Sequence, residues 1–140
     1  MNTAADNVIP LAIPDEDIVR LTPGEYAAVY VGYTSLIVFR SPKVRVDFHL
    51  LDHPELILSR WYRVKDYRGG RLKAGRHSDI VRELSAVLGR RVRHDRITVG
   101  SLENIMVRVE VRDVIEDRKQ DKLAEVNRYS VISRLIGREP

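Results

Sequence analysis

The 140-residue chain has no cysteine, which excludes a disulfide framework, a thiolate metal site, a thiol nucleophile and redox chemistry by the protein itself. That absence suits a reducing compartment, and a cytoplasmic location is expected. Aromatic residues are scarce, with six Tyr, two Phe and one Trp, so where they fall carries information. Residues 1–14 contain Asp6 and Pro10 and lack both a basic start and a sustained apolar run, so neither a secretion signal nor a membrane span is expected. No Gly-x-x-x-x-Gly-Lys-[Ser/Thr] loop occurs, and Gly69-Gly70 is a turn dipeptide. There is no internal repeat and no low-complexity tract. The length fits one domain, which near this size buries about two-thirds of its unfolded surface.

What the chain does have is concentrated charge. Residues 60–96 carry twelve Lys or Arg (Arg60, Arg63, Lys65, Arg68, Arg71, Lys73, Arg76, Arg82, Arg90, Arg91, Arg93, Arg96) against four acids (Asp66, Asp79, Glu83, Asp95). That stretch is net +8 in a chain of net +4, so the remainder is net −4. Positive charge focused in this way implies a polyanionic partner.

Periodicity supplies the elements. Residues 25–34, with Tyr26, Val29, Tyr30, Val31 and Tyr33, suit a strand. After a turn expected at Ser41-Pro42, residues 43–51 alternate, Val44, Val46, Phe48 and Leu50 on one side and Lys43, Arg45, Asp47 and His49 on the other. Residues 56–67 predict a third strand. Ile80, Val81, Leu84, Val87 and Leu88 form a helical stripe, with Ser78 placed to cap it and Gly89 to close it. Ile97 to Val99 reads as a brief strand or turn. Ile105, Val107, Val109 and Val111 mark a fourth strand, and residues 128–136 a fifth. Three strands, one helix and two strands is the element order of the OB-fold, a five-stranded Greek-key barrel with its helix between strands three and four. The expected organisation is an N-terminal arm (1–21), one OB-fold domain (22–136) and a short tail (137–140).

In such a barrel, strands two and three and two flanking loops form the binding face. Arg45, Arg60, Trp61, Arg63, Lys65 and Tyr67 fall on or beside it. Residues 35–43, with Phe39, Arg40 and Lys43, would be one loop, and residues 117–125, with Arg118, Lys119 and Lys122, the other. Unpaired nucleic acid offers phosphates and exposed base faces, which proteins hold with a cationic groove and aromatic platforms. Trp61, Arg63 and Lys65 alternate onto one strand face. The segment Arg68-Gly69-Gly70-Arg71-Leu72-Lys73-Ala74-Gly75-Arg76 is basic and glycine-containing, fit to close over a bound strand. The competing structural reading packs Trp61 into the barrel and leaves the arginines as a wet surface. Tyr26 and Tyr30 are expected to pack in the barrel with their hydroxyls at its rim.

Catalytic readings are weaker. His49, Asp52 and His53 lack further ligands at metal-binding spacing, so neither metal nor cofactor is expected. Glu110 with Asp47 faintly suggests a metal-dependent nuclease, but Glu110 on a wet strand face beside Arg108 and Arg112 reads as an ion pair. No Ser/His/Asp set is supported.

Gly24-Glu25-Tyr26, the run Pro42-Lys43-Val44-Arg45-Val46-Asp47-Phe48, and a helix following a basic Gly-containing loop together resemble the small single-stranded-DNA-binding proteins of phages and integrative mobile elements, over residues 22–133. The resemblance implies an OB-fold and sequence-tolerant binding of DNA strands in replication or recombination, with Arg45, Trp61, Arg63 and Lys65 in contact. Bacterial housekeeping members end in an acidic tip that recruits partner enzymes; Gly137-Arg138-Glu139-Pro140 departs from that pattern, which puts partner recruitment by that route in doubt. An RNA-binding barrel and a protein that docks its basic patch on a host enzyme are the alternatives. Apolar residues of the first strand and the C-terminus are available for a homo-oligomer. No membrane partner is expected.

Overall fold

The computed structural model describes residues 21–66, 72–114 and 129–140. It is mainly β: strands β1 (Gly24–Val38), β2 (Ser41–Leu50) and β3 (Ile57–Arg63), helix α1 (Asp79–Leu88), a 3₁₀ turn at Val99–Leu102, then β4 (Met106–Val114) and β5 (Tyr129–Arg138). The strands form one antiparallel sheet in the order β3-β2-β1-β4-β5. Among the described residues the sheet is not closed, because no ladder joins β3 to β5. Those two outer strands nevertheless touch each other, and α1 packs against both.

Alternation decides which face is covered. Val44, Val46, Phe48 and Leu50 of β2 and Val107, Val109 and Val111 of β4 are buried, and so is the α1 stripe Ile80, Val81, Leu84 and Val87. Tyr30 meets Phe48 edge-on, centroids 6.3 Å apart, and the Tyr26 hydroxyl donates to the Thr22 carbonyl at 2.6 Å, while both rings pack, partly buried, against the core. A bulge between Tyr30 and Gly32 resets the alternation of β1, leaving Val31 outside the ladder. No described helix is long and apolar enough to cross a membrane.

Four details depart from the sequence expectation. β1 and β2 run on through residues 35–38 and 41–43, so the expected loop shrinks to Phe39 and Arg40, both left-handed with φ of 51° and 63°. Two such residues are what a two-residue type I′ hairpin demands, and the β-branched Ile37 and Val38 prolong the ladder up to it. Pro42 therefore lies inside β2, where its carbonyl accepts the Val64 N–H at 3.1 Å. β3 ends at Arg63, and its chain continues into an isolated bridge between Asp66 and Lys73. β5 continues through Arg138 and the Glu139 N–H donates to the Met106 carbonyl, so the expected tail begins as strand. Ser78 occupies the N-cap of α1 without capping it, and its buried hydroxyl has no partner among the described residues; Gly89, at φ 69°, closes the helix as expected.

Candidate nucleic-acid interface

The register of β2 and β3 builds the site. Arg45 stands opposite Trp61 and Lys43 opposite Arg63, while on the other side of β2, Thr34 faces Arg45 and Leu36 faces Lys43. Directly opposed residues share a face with Cβ atoms about 5 Å apart. Val44 and Tyr62, the opposed pair between these rows, are buried, so Lys43, Arg45, Trp61 and Arg63 lie on the outer wall. The Trp61 side of the wall is open: the residue is 41 % exposed, which removes the packed alternative.

Arg45 is held in place along its own strand. Its Nε and Nη2 donate to the Asp47 carboxylate at 3.0 and 3.3 Å, and Ser59 on β3 donates to the same carboxylate. The spacing of Arg45 and Asp47 at i, i+2 was the sequence signal for this pair; Ser59 gave none, because its role depends on register. Lys43, Arg63 and Lys65 have no carboxylate partner among the described residues. Arg40 sits at the hairpin tip beside Phe39, which is 73 % exposed, and close to Ile37 at 62 %. Ile37 opposes Pro42 and so lies on the Val44 face, away from Lys43 and Arg45, which leaves Phe39 as the exposed apolar side chain at the tip itself.

Arg60 does not join this face. Its position opposite Val46 turns it inward, where its Nε and Nη2 reach the two Glu83 oxygens at 3.1 and 2.6 Å and its Nη1 donates to the Trp61 carbonyl. The guanidinium also lies 4.4 Å from the Tyr62 ring centroid and 3.6 Å from Asp79. With side chains only 14 % and 7 % exposed, Arg60 and Glu83 form an internal ion pair rather than a nucleic-acid contact. The Tyr62 hydroxyl and the Leu135 N–H of β5 both donate to the same Glu83 oxygen, at 2.8 and 2.7 Å. Burial, and then the adjacent carboxylate, push the Tyr62 phenol well above its ordinary range.

Lys73 is exposed on the bridge to Asp66, and Arg76 lines a separate cleft beside α1. Tyr67, Arg68, Arg71, Arg118 and Lys119 lie outside the described residues, as does the loop expected at 117–125.

The carboxylates weighed as a nuclease pair stand apart. Glu110 is opposite Glu25 on β1 and Asp47 is opposite Gly32, seven residues further along that strand, a separation of roughly 20 Å. Glu110 pairs across the ladder with Arg134 at 3.3 Å and accepts from Ser133 at 2.7 Å, instead of with Arg108 or Arg112. The Ser133 bond and then the Arg134 cation hold its carboxyl below the ordinary value. Arg108 instead makes two bonds of 2.8 Å to Glu139. Among the described residues no three His, Asp or Glu converge as a metal site.

No family model, curated protein or solved structure matches the chain. The functional reading therefore stands on the geometry of the β2–β3 wall.

Proposed function

We propose that this protein binds single-stranded DNA with little sequence preference along the outer wall of β2 and β3, as an OB-type barrel. The observation that carries the reading is the register that sets Arg45 against exposed Trp61 and Lys43 against Arg63 on one solvent-facing surface. A base stacks on the indole whatever its identity, because every base presents a π-face, while Lys43, Arg63 and Lys65 neutralise neighbouring phosphates. Arg45, already tied to Asp47, is pre-oriented and loses little freedom on contact. The order β3-β2-β1-β4-β5, with a helix between β3 and β4 and the outer strands drawn together, supports an OB barrel whose last seam is bridged by side chains. Such a protein serves replication or recombination, and the sequence resemblance points to a phage or mobile element.

Fluorescence polarisation with oligothymidylate, the matching duplex and the matching RNA strand tests this. The DNA strand should bind more tightly than the duplex, and more tightly than RNA. Preference for duplex, or equal affinity for RNA, would replace the reading with a groove binder or an RNA-binding barrel. Absence of affinity for all three would leave a protein-docking surface.

A further inference from the structure

On the other side of α1 the chain forms a cleft of about 460 Å³, none of whose lining residues belongs to the β2–β3 wall. Its apolar part is Val81, on the first turns of α1, and Val92, on the segment that follows the helix. That segment is fastened down: the Val92 N–H donates to Ser85 Oγ at 3.0 Å, the Ser85 hydroxyl donates to the Val81 carbonyl at 2.6 Å, and the Ala74 N–H donates to the His94 carbonyl at 2.9 Å. The cleft is thus framed by hydrogen-bonded backbone on both sides.

Its charges are unevenly satisfied. Arg93 grips Asp95 through two bonds of 3.0 and 2.8 Å, so that pair is internally neutral. Arg76 and Arg91 line the same cleft and have no carboxylate partner among the described residues. Two unpaired guanidiniums facing one concavity repel each other, and a concave surface focuses their field toward an incoming anion. Guanidinium forks match the paired oxygens of a phosphate, and His94 adds a further hydrogen-bonding group beside them. An apolar floor next to a cationic wall suits an anion joined to an apolar ring, and the volume lies within the usual range of small-molecule sites.

We propose that this cleft binds a nucleoside phosphate, its phosphate held by Arg76 and Arg91 and its base or sugar against Val81 and Val92. The same chemistry is offered by a free nucleotide and by the phosphorylated end of a DNA strand. The proposal does not depend on the β2–β3 wall binding DNA.

The test is an NMR titration of the full chain, following the Val81 and Val92 methyls and the His94 ring, with thymidine monophosphate, thymidine and inorganic phosphate as probes. The monophosphate should move all three signals and bind about tenfold more tightly than either fragment. Arg76→Glu and Arg91→Glu, both at exposed side chains, should each weaken it about tenfold or more, whereas Trp61→Ala should leave it unchanged. Oligothymidylate with and without a 5′-phosphate then separates the sources. Displacement by the phosphorylated strand alone assigns the cleft to a strand end, and no displacement by either assigns it to a free nucleotide. Signals unmoved by millimolar monophosphate, affinity in both charge-reversed variants equal to that of the unaltered chain, or phosphate binding as well as the nucleotide would overturn the proposal.

Discussion

Trp61 owes its exposure to register: one step along β3 in either direction would exchange it for Arg60 or Tyr62 and turn the indole into the core. Since base stacking on an aromatic platform contributes about 1–3 kcal/mol, Trp61→Ala should reduce single-strand affinity roughly 5- to 150-fold while circular dichroism stays unchanged. A loss no greater than that of Lys73→Ala, measured alongside, would make the indole a bystander. The hairpin tip supports a second substitution. Phe39 and Arg40 occupy left-handed conformations that side chains with a Cβ disfavour by roughly 1–2 kcal/mol each, and Asn-Gly suits the same turn. The double substitution Phe39→Asn with Arg40→Gly should therefore raise stability by about 1–2 kcal/mol in urea unfolding and weaken DNA binding. Unchanged affinity would remove the tip from the interface. Composition pointed to Trp61, Lys43, Arg45, Arg63 and Lys65, because alternation alone puts them on a wet face. Arg60 misled because its charge says nothing about the buried carboxylate waiting across the sheet.

Elements with unbroken two-residue alternation, β2 and β4, were legible in the sequence, and so was α1 from its apolar stripe. The β1–β2 turn was not, since Phe39-Arg40 contains none of the residues that ordinarily mark a left-handed corner, while Ser41-Pro42 beside it does resemble a turn. The link among α1, β3 and β5 was equally hidden, because Glu83 reads as an ordinary polar position on a helix. Glu83→Ala leaves the Arg60 cation buried without its partner and should cost about 3–5 kcal/mol in urea denaturation. A cost below about 1 kcal/mol would show the pair to be energetically idle. Tyr62 adds a dependence on pH. Its phenol is raised above the ordinary 10.0 in the folded state, so the folded protein holds that proton more tightly than the unfolded chain does. The associated stability is complete below that ordinary value and is lost as pH climbs through the higher folded value. Tyr62→Phe should flatten the alkaline decline of the melting temperature, and an identical decline in the variant would assign it to other groups.

Among the described residues, cations without a carboxylate partner stand on the β2–β3 wall, as Lys43 and Arg63, and in the lining of the cleft beside α1, as Arg76 and Arg91. Oligothymidylate binding should weaken with salt at a slope of about −0.7 in log–log form for each phosphate neutralised. Lys43, Arg63 and Lys65, without a carboxylate partner among the described residues, set the minimum expectation at about three such contacts, a slope near −2. A flat response would reject the electrostatic model. Element order was enough to anticipate a five-stranded antiparallel sheet with one helix. Which strands would be left at its ends was hidden, because that depends on long-range pairing.

The seam between β3 and β5 has a consequence for motion. Every other strand boundary is a ladder of backbone bonds, whereas among the described residues the hydrogen bonds across this one converge on a single carboxylate that holds Arg60, Tyr62 and the Leu135 amide. A clasp can let go as one event where a ladder must unzip, so transient opening of the native protein should begin there, with α1 lifting away while β1, β2 and β4 stay zipped. Trp61 and Arg63 ride on one of the two lips, which ties the breathing of the seam to the shape of the wall.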